Sequence, residues 1–248
     1  MRKIIFNSLC ILGSVLMLAG CGSRKKNAEA AAAAEAARQD SLKRAELLQR
    51  QNEADVMMQL LEDEPVFDIN TNMGTIKVKL YAKTPLHRAN FEKLALTGYY
   101  DGLLFHRVIN GFMIQGGDPL SRDAANADKF GTGGPDYTVP AEFVPEYKHS
   151  KGALAAARRG DAANPLKESS GSQFYLVQNE KACAQLDGAY TVFGQTVEGL
   201  DVIDRIAAVA TNNRDLPLSP VKIISVTLDE VSKPAQPAQP AAEEPEAE

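Results

Sequence analysis

Between residues 65 and 230 the chain consists mainly of short β-rich segments, and this pattern limits the folds open to it. The segments read PVFDINT, GTIKVKLY, LLFHRV, GFMIQ, KGALAAA, QFYLV, YTVFGQTV and VKIISVTL. Gly, Pro or Asn stands near most of their junctions, as in chains that reverse direction repeatedly. The pattern predicts one antiparallel β domain, and by itself it allows either a sandwich or a barrel.

Two segments interrupt this pattern with helical features. The first, Thr84–Gly98, has Thr84 as a candidate N-cap, Pro85 at the first helical position and Gly98 as a stop signal. Its apolar residues form one broad face that could plug the end of a barrel: Ala89, Phe91, Leu94, Ala95 and Leu96. The second helix is predicted over VEGLDVIDRIA, Val197–Ala207.

Arg107 lies within a mainly apolar segment, FHRVINGFMIQGGDP, Phe105–Pro119. An unpaired guanidinium there is costly unless it lies at the rim of a cleft, and the alternative is a strand pair from which Arg107 extends to water. Gln115 follows eight residues later, an even spacing that would place both on one face of a single strand. Gly111 instead favours a bend between them. The combination suggests a functional site.

This segment closely resembles the signature of the cyclophilin family of peptidyl-prolyl cis-trans isomerases, in which FHRVI, GFM and QGGD follow one another. Further segments follow in the family's order: GTGG (Gly131–Gly134), HSKGALAAA (His149–Ala157), SGSQFYL (Ser170–Leu176) and LDGAYTVFGQ (Leu186–Gln195). The resemblance implies a mainly β fold, a closed eight-stranded antiparallel barrel capped by two α-helices. It also implies rotation about X-Pro peptide bonds without a cofactor or metal.

By the same resemblance Arg107 is the catalytic residue, which would stabilise the twisted imide by donating to the proline nitrogen. The implied substrate-binding residues are His106, Phe112, Met113, Gln115, Ala157, Arg158, Gln173, Tyr175, Leu186 and Tyr190. A proline pocket would be formed by Phe112, Met113, Tyr175, Leu186 and Tyr190, which are apolar or amphipathic. For each apolar residue taken alone, core packing is the alternative. The implied partners are proline-containing segments of unfolded or exported proteins.

Several positions differ from the better-known eukaryotic members of the family. Gln185 stands where relatives that bind cyclosporin tightly have Trp, so strong inhibition by cyclosporin is not expected. Tyr190 replaces a common His, and Tyr175 replaces Phe, which predicts an added hydroxyl at the pocket rim. Arg158 and Arg159 replace small or neutral residues, which suggests a preference for acidic residues near the substrate proline. The loops at 121–130 and 160–169 look variable, and such loops tune partners.

Other chemistries have little support. The chain has 27 Lys and Arg against 32 Asp and Glu, a formal net charge of −5, and no basic stripe with interleaved aromatics, so nucleic acid is not an expected partner. His87, His106 and His149 have no metal-ligand spacing with one another or with Cys183. SGSQF is not a nucleophile elbow, and GTGG is not a phosphate loop.

Residues 1–20 are predicted to be a bacterial lipoprotein signal peptide. Arg2 and Lys3 precede an apolar run that is too short to span a membrane and ends in LAGC. Cys21 is then the acylated first residue of the mature protein, which predicts a lipid-anchored protein of the cell envelope facing the periplasm or exterior. An ordinary signal peptide cut nearby is the alternative. Only Cys183 would remain as a thiol, so no intramolecular disulfide is expected.

The resemblance assigns residues 65–230 to the isomerase-like domain, and composition predicts the regions on either side of it. Residues 21–64 lack Gly and Pro from Ala28 onward and favour a helical stalk. Residues 231–248 are rich in Pro, Ala and Glu and predict a disordered acidic tail. A coiled-coil dimer would need a sustained heptad that the stalk does not show, so a monomer is expected.

Two functions from different classes fit these features. The first is a lipid-anchored prolyl isomerase that assists the folding of exported proteins. The second is a proline-peptide-binding scaffold or chaperone with incidental isomerase activity, which the stalk, the Arg158–Arg159 pair and the longer loop favour. A weaker third possibility is an envelope structure built by self-association of the stalk.

Overall fold

The computed structural model describes the backbone of residues 16–234 and the side chains of residues 28–234. Most of the predicted signal peptide and of the predicted acidic tail lies outside the described residues, as does the side chain of Cys21. The chain divides into two units, Met1–Gln49 and Arg50–Glu248.

The first helix, α1, runs from Leu16 to Met58 and so covers most of the predicted stalk. It ends six residues before the predicted limit at Glu64, because a turn follows Met58. Its residues from Ala28 to Gln49 are all exposed. Within the described residues, no helix is both long and apolar enough to cross a membrane.

The second unit is built on an eight-stranded antiparallel sheet. The described residues of this unit contain ten strands, two of them in a separate small sheet. In chain order the strands are β1 Val66–Thr71, β2 Gly74–Leu80, β3 Arg107–Ile109, β4 Met113–Gly116, β5 Thr138–Val139, β6 Ala153–Ala156, β7 Ser169–Ser170, β8 Phe174–Val177, β9 Val192–Glu198 and β10 Ile223–Leu228. The order across the large sheet is β10-β1-β2-β9-β6-β8-β4-β3, and β5 pairs with β7. The other α-helices among the described residues are α2 Pro85–Leu96, α3 Glu180–Cys183 and α4 Leu200–Ala207, and four short 3-10 helices lie between or after these elements.

The predicted closed barrel is not supported, because strand pairing leaves β3 and β10 as the two edges of an open, curled sheet. Only an isolated bridge, Leu104 with Lys222, and three neighbouring backbone hydrogen bonds connect the segment before β3 to the start of β10. Gly102 has a positive φ of 79° there, and such a residue interrupts a regular ladder. The mainly β, helix-capped fold class stands without the closure.

Helix α2 plugs one end of the curled sheet as its apolar face predicts. Phe91 lies between Phe67, Tyr100, Phe174 and Phe193, with ring centroids 5.2–5.8 Å away. Thr84 occupies the N-cap position, but its side chain makes no capping hydrogen bond. The carboxylate of Glu142 instead accepts from the backbone N–H groups of Leu86 and His87, at 3.0 and 2.9 Å. The helix start is therefore held by a residue distant in sequence.

Strands β4, β6 and β8 are buried on both faces, and their alternation separates two cores. Ile114, Leu154 and Leu176 belong to the main core, together with Val202, Ile203 and Ile206 of α4. Their neighbours along the strands belong to a second cluster on the opposite face: Met113, Ala153, Ala155, Tyr175 and Val177. Phe112, Leu186 and Tyr190 pack against this second cluster and remain partly exposed.

Two glycines with similar φ angles, Gly117 and Gly111, differ in how closely the surrounding backbone approaches them. Gly117 has a φ of 87°, and a Cβ there would lie 2.2 Å from the carbonyl oxygen of Ser172; Gly111 has a φ of 79° and no atom within 4 Å of a Cβ. We expect Gly111→Ala to cost about 1–2 kcal/mol from left-handed strain alone. Gly117→Ala should cost about 1–3 kcal/mol more, because it adds overlap with backbone. Denaturant unfolding of both variants measures this, and equal losses would contradict it.

Candidate active site

The β3–β4 hairpin brings Arg107 and Gln115 together. The two residues are direct cross-strand partners in this antiparallel pair. The reversal uses Gly111 at positive φ, and the Gln178 side chain accepts from its N–H at 2.7 Å. The bend that Gly111 predicted is therefore a full turn. Arg107 and Gln115 lie on one face of the sheet because they are paired across two strands, and not because of an even spacing along a single strand.

Arg107 is 45% exposed. Within the described part of the chain, Asp215 is the one carboxylate within 4 Å of its guanidinium, with 3.6 Å between Nε and Oδ2. The backbone oxygen of Asp215 also accepts from the N–H of Val108 at 2.8 Å, so this residue is held beside β3. Among the described residues, neither terminal nitrogen of the Arg107 guanidinium has a hydrogen-bond partner. Both are available as donors to a ligand.

Gln115 is positioned from behind by Gln173. The amide of Gln115 donates to Oε1 of Gln173 at 2.9 Å, and Gln173 in turn donates to the carbonyl oxygen of Gly133 at 2.7 Å. Gln173 is only 6% exposed. Gln173 therefore holds the Gln115 side chain from behind and is absent from the lining of the neighbouring cavity. The substrate contact that the resemblance implies for it stays a prediction.

One cavity of about 290 Å³ lies beside the hairpin. Its lining contains every predicted substrate-binding or catalytic residue except Gln173, that is His106, Arg107, Phe112, Met113, Gln115, Ala157, Arg158, Tyr175, Leu186 and Tyr190. The apolar members form a floor on the second cluster, and Arg107 and Gln115 stand beside it. Ligand-binding pockets are typically built in this way, with a mostly apolar surface and a few polar groups at its edge that orient the ligand. The individual roles of these residues stay predictions.

Tyr175 is fixed by a buried polar chain beneath the floor. His149 Nδ1 lies 2.7 Å from Asp187 Oδ1, and His149 Nε2 lies 2.8 Å from the Tyr175 hydroxyl. Burial lowers the pKa of His149, which favours the neutral ring that donates from Nδ1 and accepts the tyrosine O–H at Nε2. The hydroxyl therefore points to buried His149, and the prediction that it sits at the pocket rim is wrong.

Arg158 forms one wall of the cavity in a fixed position. Its guanidinium carbon lies 4.3 Å from the centroid of the Tyr190 ring. Its Nε donates to the Ala189 carbonyl at 2.8 Å, and its Nη1 donates to Asp161 at 2.6 Å. The backbone N–H and carbonyl of Ala157 are engaged with Gln173 and Ser170. Nη1 of Arg158 also donates to the Arg159 carbonyl at 2.9 Å. Stacking and these three anchoring contacts together restrict the rotamers of the Arg158 side chain.

His106 is a buried residue of the cavity lining, and its ring is neutral. It is 4% exposed, and among the described residues neither ring nitrogen has a hydrogen-bond partner of acceptable geometry. Burial lowers its pKa.

Five lining residues were not predicted as site residues: Ala127, Phe130, Gly131, Arg214 and Leu216. Ala127, Phe130 and Gly131 lie between β4 and β5. Buried Asp118, the last residue of QGGD, holds this segment by accepting from the N–H groups of Gly131 and Gly133 at 2.5 and 3.1 Å. The GTGG segment was therefore the available signal for Phe130 and Gly131. Arg214 and Leu216 lie in the loop between α4 and β10, where no recognised motif pointed to them.

A family model described as cyclophilin type peptidyl-prolyl cis-trans isomerase/CLD matches residues 66–228. The human peptidyl-prolyl cis-trans isomerase-like 1 is 39% identical over 158 residues, which cover 63% of this chain and 87% of that protein. A peptidyl-prolyl cis-trans isomerase of Acinetobacter baylyi is 35% identical over 173 residues, covering 66% and 86%. The match to a longer Rhizopus delemar relative, 36% identical and covering 71% of this chain, spans only 31% of its length.

Solved structures agree with these matches. The crystal structure of a Cryptosporidium parvum cyclophilin type peptidyl-prolyl cis-trans isomerase aligns with a TM-score of 0.59 at 28% identity, covering 67% of this chain and 98% of that one. A second structure of that protein was obtained in the presence of the dipeptide Ala-Pro. The chain belongs to the cyclophilin-type peptidyl-prolyl cis-trans isomerase family, and the predicted family and enzyme class are confirmed.

The buried His149 predicts a pH dependence of stability. Its pKa is lowered in the folded state, so the unfolded chain binds a proton more readily, and stability must fall as the pH drops below the ordinary histidine pKa of about 6.5. His106 acts in the same direction. We expect His149→Gln to flatten, but not abolish, the decrease in unfolding free energy between about pH 7 and pH 5. Denaturant titrations at several pH values measure it; an unchanged slope in the variant would contradict the assignment.

Proposed function

We propose that the cavity beside the β3–β4 hairpin catalyses rotation about X-Pro peptide bonds, with Arg107 as the catalytic residue. The observation that carries this proposal is the pairing of Arg107 with Gln115 at the edge of an apolar floor. An isomerase of this kind needs no nucleophile, because no covalent bond is made or broken in the reaction.

The required stabilisation is modest. The barrier to rotation is about 18–20 kcal/mol, and the uncatalysed process takes tens of seconds or more. An acceleration of about 10⁴-fold, to the millisecond range, requires about 5.5 kcal/mol of transition-state stabilisation. In the twisted state amide resonance is lost and the proline nitrogen gains a localised lone pair, so a donor directed at that lone pair binds only the transition state.

The Arg107 guanidinium is suited to supply this donor. The ion pair with Asp215 is made at Nε, which restrains the side chain, and among the described residues the two terminal nitrogens have no hydrogen-bond partner and stay available for the peptide. One preorganised donor in a site that excludes water contributes about 3–4 kcal/mol. Arg107 is 45% exposed in the free protein, so the bound peptide would have to cover it for this full contribution. The remainder would come from holding the proline ring on the floor formed by Phe112, Met113 and Tyr175 while the preceding chain turns.

The proposed partners are proline-containing segments of unfolded or exported proteins, and the proposed location is the cell envelope. The LAGC sequence at residues 18–21 supports lipidation at Cys21. The helix α1 continues for nearly forty residues beyond Cys21, which supports a helical spacer between a lipid anchor and the isomerase domain. Two or more acyl chains give stable membrane attachment.

Arg107→Ala tests the catalytic proposal. We expect kcat/KM in a proline-peptide isomerisation assay to fall about 10²- to 10³-fold, since the variant loses one preorganised donor. Arg107→Lys should recover part of the loss, because an ammonium donates but lacks the fork of a guanidinium. Arg44→Ala, at an exposed position of α1, is the matched control. Wild-type rates in Arg107→Ala, with unchanged far-UV spectra, would overturn the role of Arg107 and favour the binding-scaffold alternative.

Cys21→Ser tests the anchor. The variant lacks the thiol that lipidation needs, so we expect it to leave the membrane fraction, and intact-mass analysis should show no acyl groups. Cys183→Ser is the control, because Cys183 is a buried free thiol whose pKa burial raises to about 11. Equal membrane retention of Cys21→Ser and wild type would contradict lipidation at Cys21.

A further inference from the structure

We propose that this site selects X-Pro segments that carry a carboxylate side chain next to the proline. The inference deepens the proposed function and rests on it. It starts from the charges around the cavity, where three arginines, Arg107, Arg158 and Arg214, belong to the lining. No described residue that lines the cavity is acidic. A protein with a formal net charge of −5 therefore has a locally positive binding site.

Nearby carboxylates offset part of this charge. Asp215 approaches Arg107 at 3.6 Å, and Asp161 approaches Arg158 at 2.6 Å. Asp161 is 65% exposed and faces solvent outside the lining set. The Arg158 side chain is 3% exposed, so solvent screens its charge less than that of Asp161. Arg107 and Asp215 are equally exposed, at 45% and 43%, so their charges offset one another more fully.

Arg214 has no such offset. It is exposed, and its Nη2 donates to the backbone oxygen of Asp128 at 3.0 Å, a contact that orients the guanidinium without neutralising it. Within the described part of the chain, no carboxylate lies within 4 Å of Arg214 or of exposed Arg159. Arg214 is therefore a cation of the cavity lining whose charge no described carboxylate within 4 Å offsets.

The two arginines besides Arg107 come from different segments that line the cavity. Arg214 precedes Asp215, the neighbour of Arg107, whereas Arg158 lies against Tyr190. A peptide whose proline lies on the apolar floor would extend past at least one of them. Arg158 is 3% exposed and already paired with Asp161, so it would act on a peptide carboxylate through its charge. Exposed Arg214 is the cation that the carboxylate could contact directly.

The occupant is a peptide carboxylate rather than a free anion. The apolar residues of the cavity suit a proline ring, whereas the arginines suit only a negative charge beside that ring, and a peptide supplies both. Glu and Gln have the same shape, so comparing them isolates charge. We expect kcat/KM and affinity to be about threefold to tenfold higher for peptides with Glu than with Gln next to proline, and lower still with Lys. The advantage should shrink as NaCl rises from about 0.05 M to about 0.5 M.

The experiment uses the full chain and a peptide series with Glu, Gln or Lys before or after the proline. Isomerisation rates and direct binding by fluorescence anisotropy are both measured. Arg214→Gln should lower the Glu-to-Gln ratio toward one, and Arg158→Gln should do the same where it folds. Arg44→Gln, exposed on α1, should leave the ratio unchanged. Rescue of the ratio by Arg214→Lys would show that charge is responsible.

The outcomes separate the two proposals. Equal rates and affinities for Glu and Gln peptides, with turnover that still depends on Arg107, would overturn the acidic preference and leave the isomerase proposal intact. A preference that persists unchanged in Arg214→Gln and at high salt would also overturn it. Absence of turnover for every peptide would instead overturn the proposed function. Glu-selective binding would in that case still support the charge preference of the cavity.

Discussion

The register between β3 and β4 is the constraint on which the site depends. Because side chains alternate along a strand, a slip by one residue would turn Arg107 toward the core and bring Val108, which is 1% exposed, to the cavity side. The same register continues across the sheet. Gln115 pairs with Tyr175 of β8, and Tyr175 pairs with Ala155 of β6. The donor, the amide and the pocket ring are thus consecutive members of one cross-strand row.

The second hydrophobic cluster explains why a pocket can form on the outer face of this sheet. The row's neighbours Met113 and Val177 are buried there, and Ala155 of β6 leaves room for the larger Tyr175 beside it. The chain of Tyr175, His149 and Asp187 then fixes the tyrosine ring by two hydrogen bonds below the floor. A buried polar chain that is satisfied in this way rigidifies its surroundings, which favours a preformed pocket.

Local sequence predicted the eight strands of the large sheet and the helices α2 and α4, because these depend on turn residues and on periodicity. The motif resemblance predicted ten of the fifteen residues that line the cavity. The short strands β5 and β7 and the helix α3 were missed. Features that depend on distant partners were not accessible. Three of these features join residues far apart in the chain: the pairing of β10 with β1, the Glu142 contact with the start of α2, and the hydrogen bond of the Tyr175 hydroxyl. The open edge at β3 likewise depends on which distant strands pair. Arg214 was missed because no pattern in its loop indicates where that loop folds.

Asp215 links this unpredicted loop to the candidate catalytic residue. It has a positive φ of 61°, a conformation that Asp tolerates better than most residues. Backbone hydrogen bonds hold it there, from its N–H to the Asn212 oxygen and from the Val108 N–H to its own oxygen. Its ion pair with Arg107 is about half exposed and adds little to stability. Its main effect is to narrow the orientations of the guanidinium, and this preorganisation is what a donor directed at a short-lived lone pair requires.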